Sequence, residues 1–248
     1  MARCVVREAP ALPRVTADDD TAVLALLVAE RDAAVAEAVR LRNQAHALLL
    51  QLDPEYRAHL PKLTARAGLD ALECYAAPDT RPLAQQRAAA VRRVGRRLRL
   101  ACDQAAELAA EIRRLAAPQF APLAELCGVD LLTAAALAGL LGPGRRVAGD
   151  AQLAAHAGVA PLEASSAGRV RHRLNRGGDR QLNAVLHRIA MTQARCSPEA
   201  RAYLARRVAA GKTKREALRA LKRFICRAVW RRWLACLEGP PTAGRAAA

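Results

Sequence analysis

Residues 82–117 place Val91, Val94, Leu98, Ala101, Ala105, Leu108, Ile112 and Leu115 at alternating steps of three and four. These are the a and d positions of a heptad seam. A helix over that stretch extends roughly 54 Å at about 1.5 Å per residue, too far for one compact core to cover unless a second long helix lies beside it. Residues 20–52 can supply one. They are good helix formers without Gly or Pro, opened by Asp18, Asp19 and Asp20 and stopped at Asp53-Pro54, the acids suiting a helix N-terminus. The seam closes either as an antiparallel hairpin within the chain or against the seam of a second chain, and the pattern leaves both open.

Composition agrees with helices. Hydrophobic residues make up 52% of the 248, mostly Ala, Leu and Val, with 3% aromatics, a mixture that allows a real core and favours helix over sheet. The expected fold is mainly α. After Pro118 and Pro122, the stretch "LAELCGVDLLTAAALAGLLGPG" has two apolar helical pieces flanking a turn at Cys127-Gly128-Val129-Asp130. It reads as a helix-hairpin-helix-like unit, able to aim backbone N–H groups at a phosphate, or equally as a piece of core. A short helix in "DAQLAAHAGVAP" follows. Asp179 then caps a helix from Gln181 to Arg195, and Ser197-Pro198 caps one that runs to Ala210 with Gly211 as its stop. Thr213 and Glu216 form a capping box for a last helix to about Leu237, and the tail 239–248 reads as disordered.

Charge narrows the function. The chain carries 40 Lys+Arg against 23 Asp+Glu, a net charge of +17. Residues 1–142 hold 18 basic against 17 acidic side chains, whereas residues 143–248 hold 22 against 6. A solubility device would spread its charge, so this segregation marks a C-terminal electrostatic footprint, for which nucleic acid is the favoured polyanion. The 36 arginines against four lysines owe much to high-GC coding, so position says more than residue type.

The footprint is densest in "SSAGRVRHRLNRGGDRQLN", residues 165–183, where Ser165 and Ser166 precede Arg169, Arg171, Arg173, Arg176 and Arg180, with His172 the only nearby imidazole. Alternation at 169, 171 and 173 would set three guanidiniums on one strand face. A serine hydroxyl that attacks a phosphodiester needs positive donors for the charge that develops. The same residues also suit a loop that only grips backbone, and spacing favours that plainer reading.

Other candidates point to structure. Asp18, Asp19 and Asp20 read as a helix cap rather than a Mg²⁺ site, and His46, His59, His156 and His187 show no partner at ligand spacing. Trp230 and Trp233 could stack on bases but at a step of three suit the core of the last helix. Cysteines 4, 74, 102, 127, 196, 226 and 236 form no CxxC pair, so buried reduced thiols are expected, with neither zinc nor a disulfide framework. No segment approaches the roughly 18 uninterrupted apolar residues of a membrane span, and "MARCVVREAP" lacks a signal-peptide pattern, so a cytoplasmic protein with no membrane partner is expected.

The order of these features resembles the bridge-RNA-guided transposases of the insertion sequence 110 family, the 116/110/902 type. Residues 16–117 match its long coiled-coil hairpin. Its C-terminal part is matched by "LAELCGVDLLTAAALAGLLG", "LAAHAGVAPLEASSAGRVRHRLNRGGDRQLNAVLHRIA" and "SPEARAYLARRVAAGKTKREALRALKRFI". The resemblance implies an antiparallel coiled-coil hairpin over 16–118 and a compact helical serine domain over 119–238 with a short extended serine loop. It also implies that 1–15 is the remnant of a missing RuvC-like domain, whose DEDD acids would hold Mg²⁺. In the family the attacking serine stands in an Ala-Ser-Ser-Gly-like context and forms a phosphoserine link before strands are exchanged. That role carries over to Ser166, with Ser165 as alternate because Ala167 and Gly168 follow. Arg169, Arg171, Arg173, Asn175 and Arg176 would surround the DNA strand, with His172 and Arg180 added from their place in the run. The expected function is a transposase fragment that binds DNA or a guide RNA and is inactive alone, binding no cofactor itself and taking Mg²⁺ through a partner's DEDD domain. It would act as a homo-oligomer or with full-length transposase. The alternative is a non-catalytic DNA- or RNA-binding regulator.

Overall fold

The structure, a computed structural model, describes residues 19–142, 147–163, 172–173 and 175–238. The elements in chain order are α1 Asp20–Leu52, α2 Tyr56–His59, α3 Arg66–Glu73, α4 Pro82–Ala124, α5 Leu131–Leu141 and α6 Asp150–His156. There follow β1 Leu162–Glu163, β2 His172–Arg173, α7 Arg180–Cys196, α8 Pro198–Ala209 and α9 Lys214–Glu238. The fold is mainly α. The chain divides into two compact units, Leu27–Glu111 and the remainder.

In Leu27–Glu111, one apolar cluster takes Ala38, Leu41, Ala45 and Leu49 from α1 and Val91, Val94, Leu98 and Ala101 from α4. Each set recurs at steps of three and four, so it occupies one helix face. Tyr56, Leu63, Leu69 and Leu72 from the connecting segment complete the cluster. Polar groups brace its margin: Arg99 reaches Glu73 and Asp70, each at 2.5 Å, and Arg92 donates to the Tyr75 carbonyl at 2.7 Å. His46 meets the Tyr56 hydroxyl at 2.5 Å. His59, expected to stand alone, pairs with Asp53 at 2.9 Å.

The other unit begins with the first turns of α1, where Asp19 Oδ1 accepts from Thr21 N at 2.9 Å and Ala22 N at 3.3 Å. Asp19 is therefore the cap, as its place before the helix suggests. The helix expected to stop at Pro118 continues through Pro118 and Pro122 to Ala124. An interior proline costs a helix about 3 kcal/mol. Opposing that cost, Ala116, Phe120 and Leu123 are fully buried, and the Phe120 ring stacks on Trp233 at 5.8 Å. Burial on the far side of each proline keeps the helix intact.

Beyond the Gly128 turn, which needs φ of +84°, Asp130 caps α5 by accepting from Thr133 N at 2.8 Å. Helix α5 is apolar nearly all round and buries Ala134, Ala135, Leu137, Ala138 and Leu141, as a central helix must. Helix α7 packs on α5 and α8, and α9 packs on α6, α7 and α8. The caps fall at the expected residues: Asp179 on Leu182 N at 2.7 Å, Ser197 on Ala200 N at 3.2 Å, and Thr213 with Glu216 as a reciprocal box. Trp233 is buried, as the core reading expects.

The thiols are less buried than expected. Cys226 and Cys236 lie in the core and Cys102 is half-buried, but Cys74, Cys127 and Cys196 are exposed. Those three stand at or beside helix ends, off the packed faces. Burial pushes the Cys226 thiol up to about 11, which keeps it protonated and inert. Among the described residues no helix is long and apolar enough to cross a membrane.

Candidate nucleic-acid interface

The site is built where residues 156–163 meet residues 172–183. Strands β1 and β2 pair antiparallel, Leu162 with Arg173 and Glu163 with His172. Behind them two glycine-bearing turns touch. Gly158 adopts φ of +65°, and a Cβ on Gly178 would stand 2.2 Å from the Gly158 nitrogen. Only a hydrogen at that position permits the approach. Side-chain amides then lock the turns together: Asn175 donates to the Ala155 carbonyl at 3.2 Å and accepts from Gly177 N at 2.9 Å. Asn183 donates to the Ala157 carbonyl at 2.7 Å and accepts from Lys222 Nζ at 2.8 Å.

This scaffold forms one wall of a cavity of about 450 Å³, and α8 and α9 form the other. Six cations line it: Arg173, Arg207, Lys212, Arg219, Lys222 and Arg223. Two are anchored, Lys222 on Asn183 and Arg223 on Asp150 at 3.0 Å. Burial, with Arg219 nearby, lowers the Lys222 pKa. Arg207 differs, because its Nε is buried without a hydrogen-bond partner. The one acid in the lining, Glu216, binds Thr213 N and Oγ1 through Oε2, both at 2.8 Å, which lowers its pKa. Tyr203 and Phe224 add two rings in edge-to-face contact at 5.3 Å. The cavity can hold an anion with a flat apolar group attached.

The expected site residues fall into three groups. Arg173 and Asn175 line the cavity, Arg173 from the end of β2 and Asn175 from the turn that its side chain braces. Arg176 and Arg180 are exposed near it without lining it, and His172 is described as a backbone position of β2. Ser165, Ser166, Arg169 and Arg171 lie outside the described residues, in 164–171, which joins the two strands. Sequence reasoning missed Arg207, Lys212, Arg219, Lys222, Arg223 and Phe224. The signal available was the C-terminal charge itself, together with the helical phase of α9, which sets Phe224 apart from the buried Leu221, Ile225 and Val229.

Residues 120–205 match the family described as transposase IS116/IS110/IS902, a span that takes in α5, α6, both strands, α7 and most of α8. That span is therefore similar to the transposase domain of the IS116/IS110/IS902 family. It is also similar to an uncharacterized 43.6 kDa protein of insertion element IS110 from Streptomyces coelicolor, at 29% identity over 258 residues, covering 83% of this chain and 61% of that protein. The chain thus spans about three fifths of the relative's length. The matched span contributes Arg173, Asn175 and Tyr203 to the cavity, and α9, beyond it, contributes Glu216, Arg219, Lys222, Arg223 and Phe224.

Proposed function

We propose that this chain acts in DNA transposition, gripping a nucleic-acid backbone with its basic C-terminal face while the hydroxyl of Ser166, or of Ser165 beside it, attacks a phosphodiester. The observation that carries this reading is the cation-lined cavity, which takes Arg173 from the strand that follows the serine segment. In such an attack Oγ bonds to phosphorus and loses its proton, and the ester bond to one deoxyribose oxygen breaks, that oxygen leaving as a hydroxyl. A deoxyribose hydroxyl of the incoming strand later displaces the serine and restores the phosphodiester. Fixed guanidiniums stabilise the negative charge that builds on the phosphoryl oxygens in both steps.

Mg²⁺, which the resembled family holds through DEDD acids, would assist that displacement, but the acids near this cavity do not fit it. Glu216 is bound in its capping box, and Asp150 is held by Arg223 and Arg227, both at 3.0 Å. Among the described residues no group of three or more His, Cys, Asp or Glu could hold a metal ion. Acids that hold the metal would thus come from outside the described residues, for instance from a full-length transposase, with bridge RNA as a further partner. The same commitment of both acids favours a second reading, a non-catalytic regulator that binds the nucleic acid without cutting it.

The test is a covalent adduct. Wild-type chain mixed with element-end DNA, Mg²⁺ and full-length transposase yields a denaturant-resistant protein–DNA species, and Ser166→Ala removes it while leaving binding intact. Loss on Ser165→Ala alone moves the nucleophile to Ser165, and no adduct with wild type leaves the regulatory reading. Binding itself is checked by salt. Contact with six to ten phosphates lowers affinity by about three to five decades between 50 and 200 mM salt, and a flat response removes nucleic acid from the account.

A further inference from the structure

We infer that the cavity between the β1–β2 ribbon and α8–α9 receives one unstacked nucleotide of a single strand, its phosphate on Arg207 and its base on the ring of Phe224. The inference rests on the nucleic-acid reading above and goes beyond it in naming what enters the site. The cavity, about 450 Å³, has the size of a small-molecule pocket, roughly 300–1,000 Å³. It is a recess rather than a flat stripe. A duplex covers its base faces by stacking and presents only phosphates and groove edges, so it has nothing to lay on a ring inside a recess.

Three observations converge on this ligand. Phe224 is 53% exposed, yet it is fixed edge-on by Tyr203 at 5.3 Å. An aromatic ring held still and left uncovered beside cations is the usual platform for an unstacked base. Arg207 lines the recess and makes no ion pair there, so the open end of its guanidinium is left to a phosphate oxygen. The remaining charges are arranged to leave that position to the ligand. Lys222 and Arg223 are tied to Asn183 and Asp150, and the Glu216 carboxylate is turned into its own helix cap. Arg173, Lys212 and Arg219 surround the recess and would take the flanking phosphates.

The experiment uses the full chain and fluorescence anisotropy with a labelled twelve-nucleotide single-stranded DNA, its RNA counterpart, and the duplex of the same sequence. Stacking on an aromatic residue is worth about 1–3 kcal/mol per base, so Phe224→Ala is expected to weaken single-strand binding about 5- to 150-fold and duplex binding far less. Phe224→Leu keeps the apolar bulk but not the ring, and should lose nearly as much, whereas Phe224→Trp should restore it. Arg207→Gln is expected to weaken both single strands. The DNA and RNA arms distinguish a displaced DNA strand from a guide RNA as the source. If wild type binds single strands and Phe224→Ala and Phe224→Leu bind them equally well, the stacking claim is wrong and the function reading survives. If wild type binds no nucleic acid at all, both fall.

Discussion

Residues 27–111 and residues 175–238 differ in how far acids balance their cations. The first stretch holds 13 Lys+Arg against 11 Asp+Glu and the second 16 against 4. In the first, guanidiniums serve as struts: Arg99 joins Glu73 and Asp70, Arg97 joins Glu37 at 3.5 Å, and Arg42 donates to the Leu63 carbonyl at 3.3 Å. In the second, acids are too few for that use. Arg223, Arg227 and Arg232 take their acids, Asp150 and Glu125, from outside the stretch, while Arg207, Lys212 and Arg219 line the cavity. Equal numbers of opposite charges hold helices together, and an excess of one sign gives a field that acts on something outside the chain.

The largest expected effect separates core aromatics from exposed ones within α9. Trp233 is 1% exposed and stacked on Phe120, so Trp233→Ala should cost about 3–5 kcal/mol, read as a fall in the urea midpoint. Phe224→Ala loses one edge contact with Tyr203 and should cost about 1 kcal/mol while weakening nucleic-acid binding. Equal losses of stability would mean that Phe224 is ordinary core, and the contrast drawn above would fail.

A smaller effect compares one steric defect placed in each region. A Cβ at Gly178 would meet the Gly158 nitrogen at 2.2 Å, and a Cβ at Gly68 would meet the Lys62 carbonyl oxygen at 2.3 Å. Each alanine should cost about 1–3 kcal/mol through forced backbone movement. Only Gly178→Ala moves the turns that Asn175 and Asn183 hold together, so only that variant should also weaken DNA binding at temperatures where it remains folded. Thermal melts and anisotropy on the two variants check both parts. A loss of binding in Gly68→Ala as large as in Gly178→Ala would break the assignment of the interface to the second region.

Local chemistry was legible in the sequence and long-range chemistry was not. Asp179, Ser197 and the Thr213/Glu216 box were readable because a cap involves residues three apart, and Gly211 because its φ of +80° suits glycine. Helix α4 announced itself by apolar period, and α1 by a run of helix formers without Gly or Pro behind an acidic cap. The stop expected at Pro118 failed because Phe120 and Leu123 find burial that no local rule contains. The thiols misled for a related reason, since cysteine composition does not say which helix face a residue occupies. At the site, Arg173 was found from a dense local run, while Arg207 and Phe224 reach the cavity from separate helices and so belong to no motif. The serine roles came from family resemblance, and residues 164–171 lie outside the described residues.

The smallest expected effect concerns two carboxylates held below the usual range by arginine. Asp150 at the start of α6 is held there by Arg227 and Arg223 from α9, and Asp79 by Arg81 two residues on. For Asp150, whose partners come together only on folding, the unfolded chain takes up the proton first as pH falls. The stability it contributes is therefore complete above the ordinary carboxylate range and lost as pH drops through the depressed value. The Asp79–Arg81 pair is local enough to form in the unfolded chain, so its native and unfolded titrations differ little, whereas the Asp150 partners come together only on folding. Asp150→Asn should therefore reduce the loss of stability between about pH 7 and pH 3, read by urea unfolding at low salt, while Asp79→Asn should leave it near wild type. Raising the salt should shrink the Asp150 effect, since these side chains face solvent. If Asp79→Asn changes the acid limb as much as Asp150→Asn, then pairs within a loop and pairs between helices are equivalent here, and the strut-like use of charge loses its physical basis.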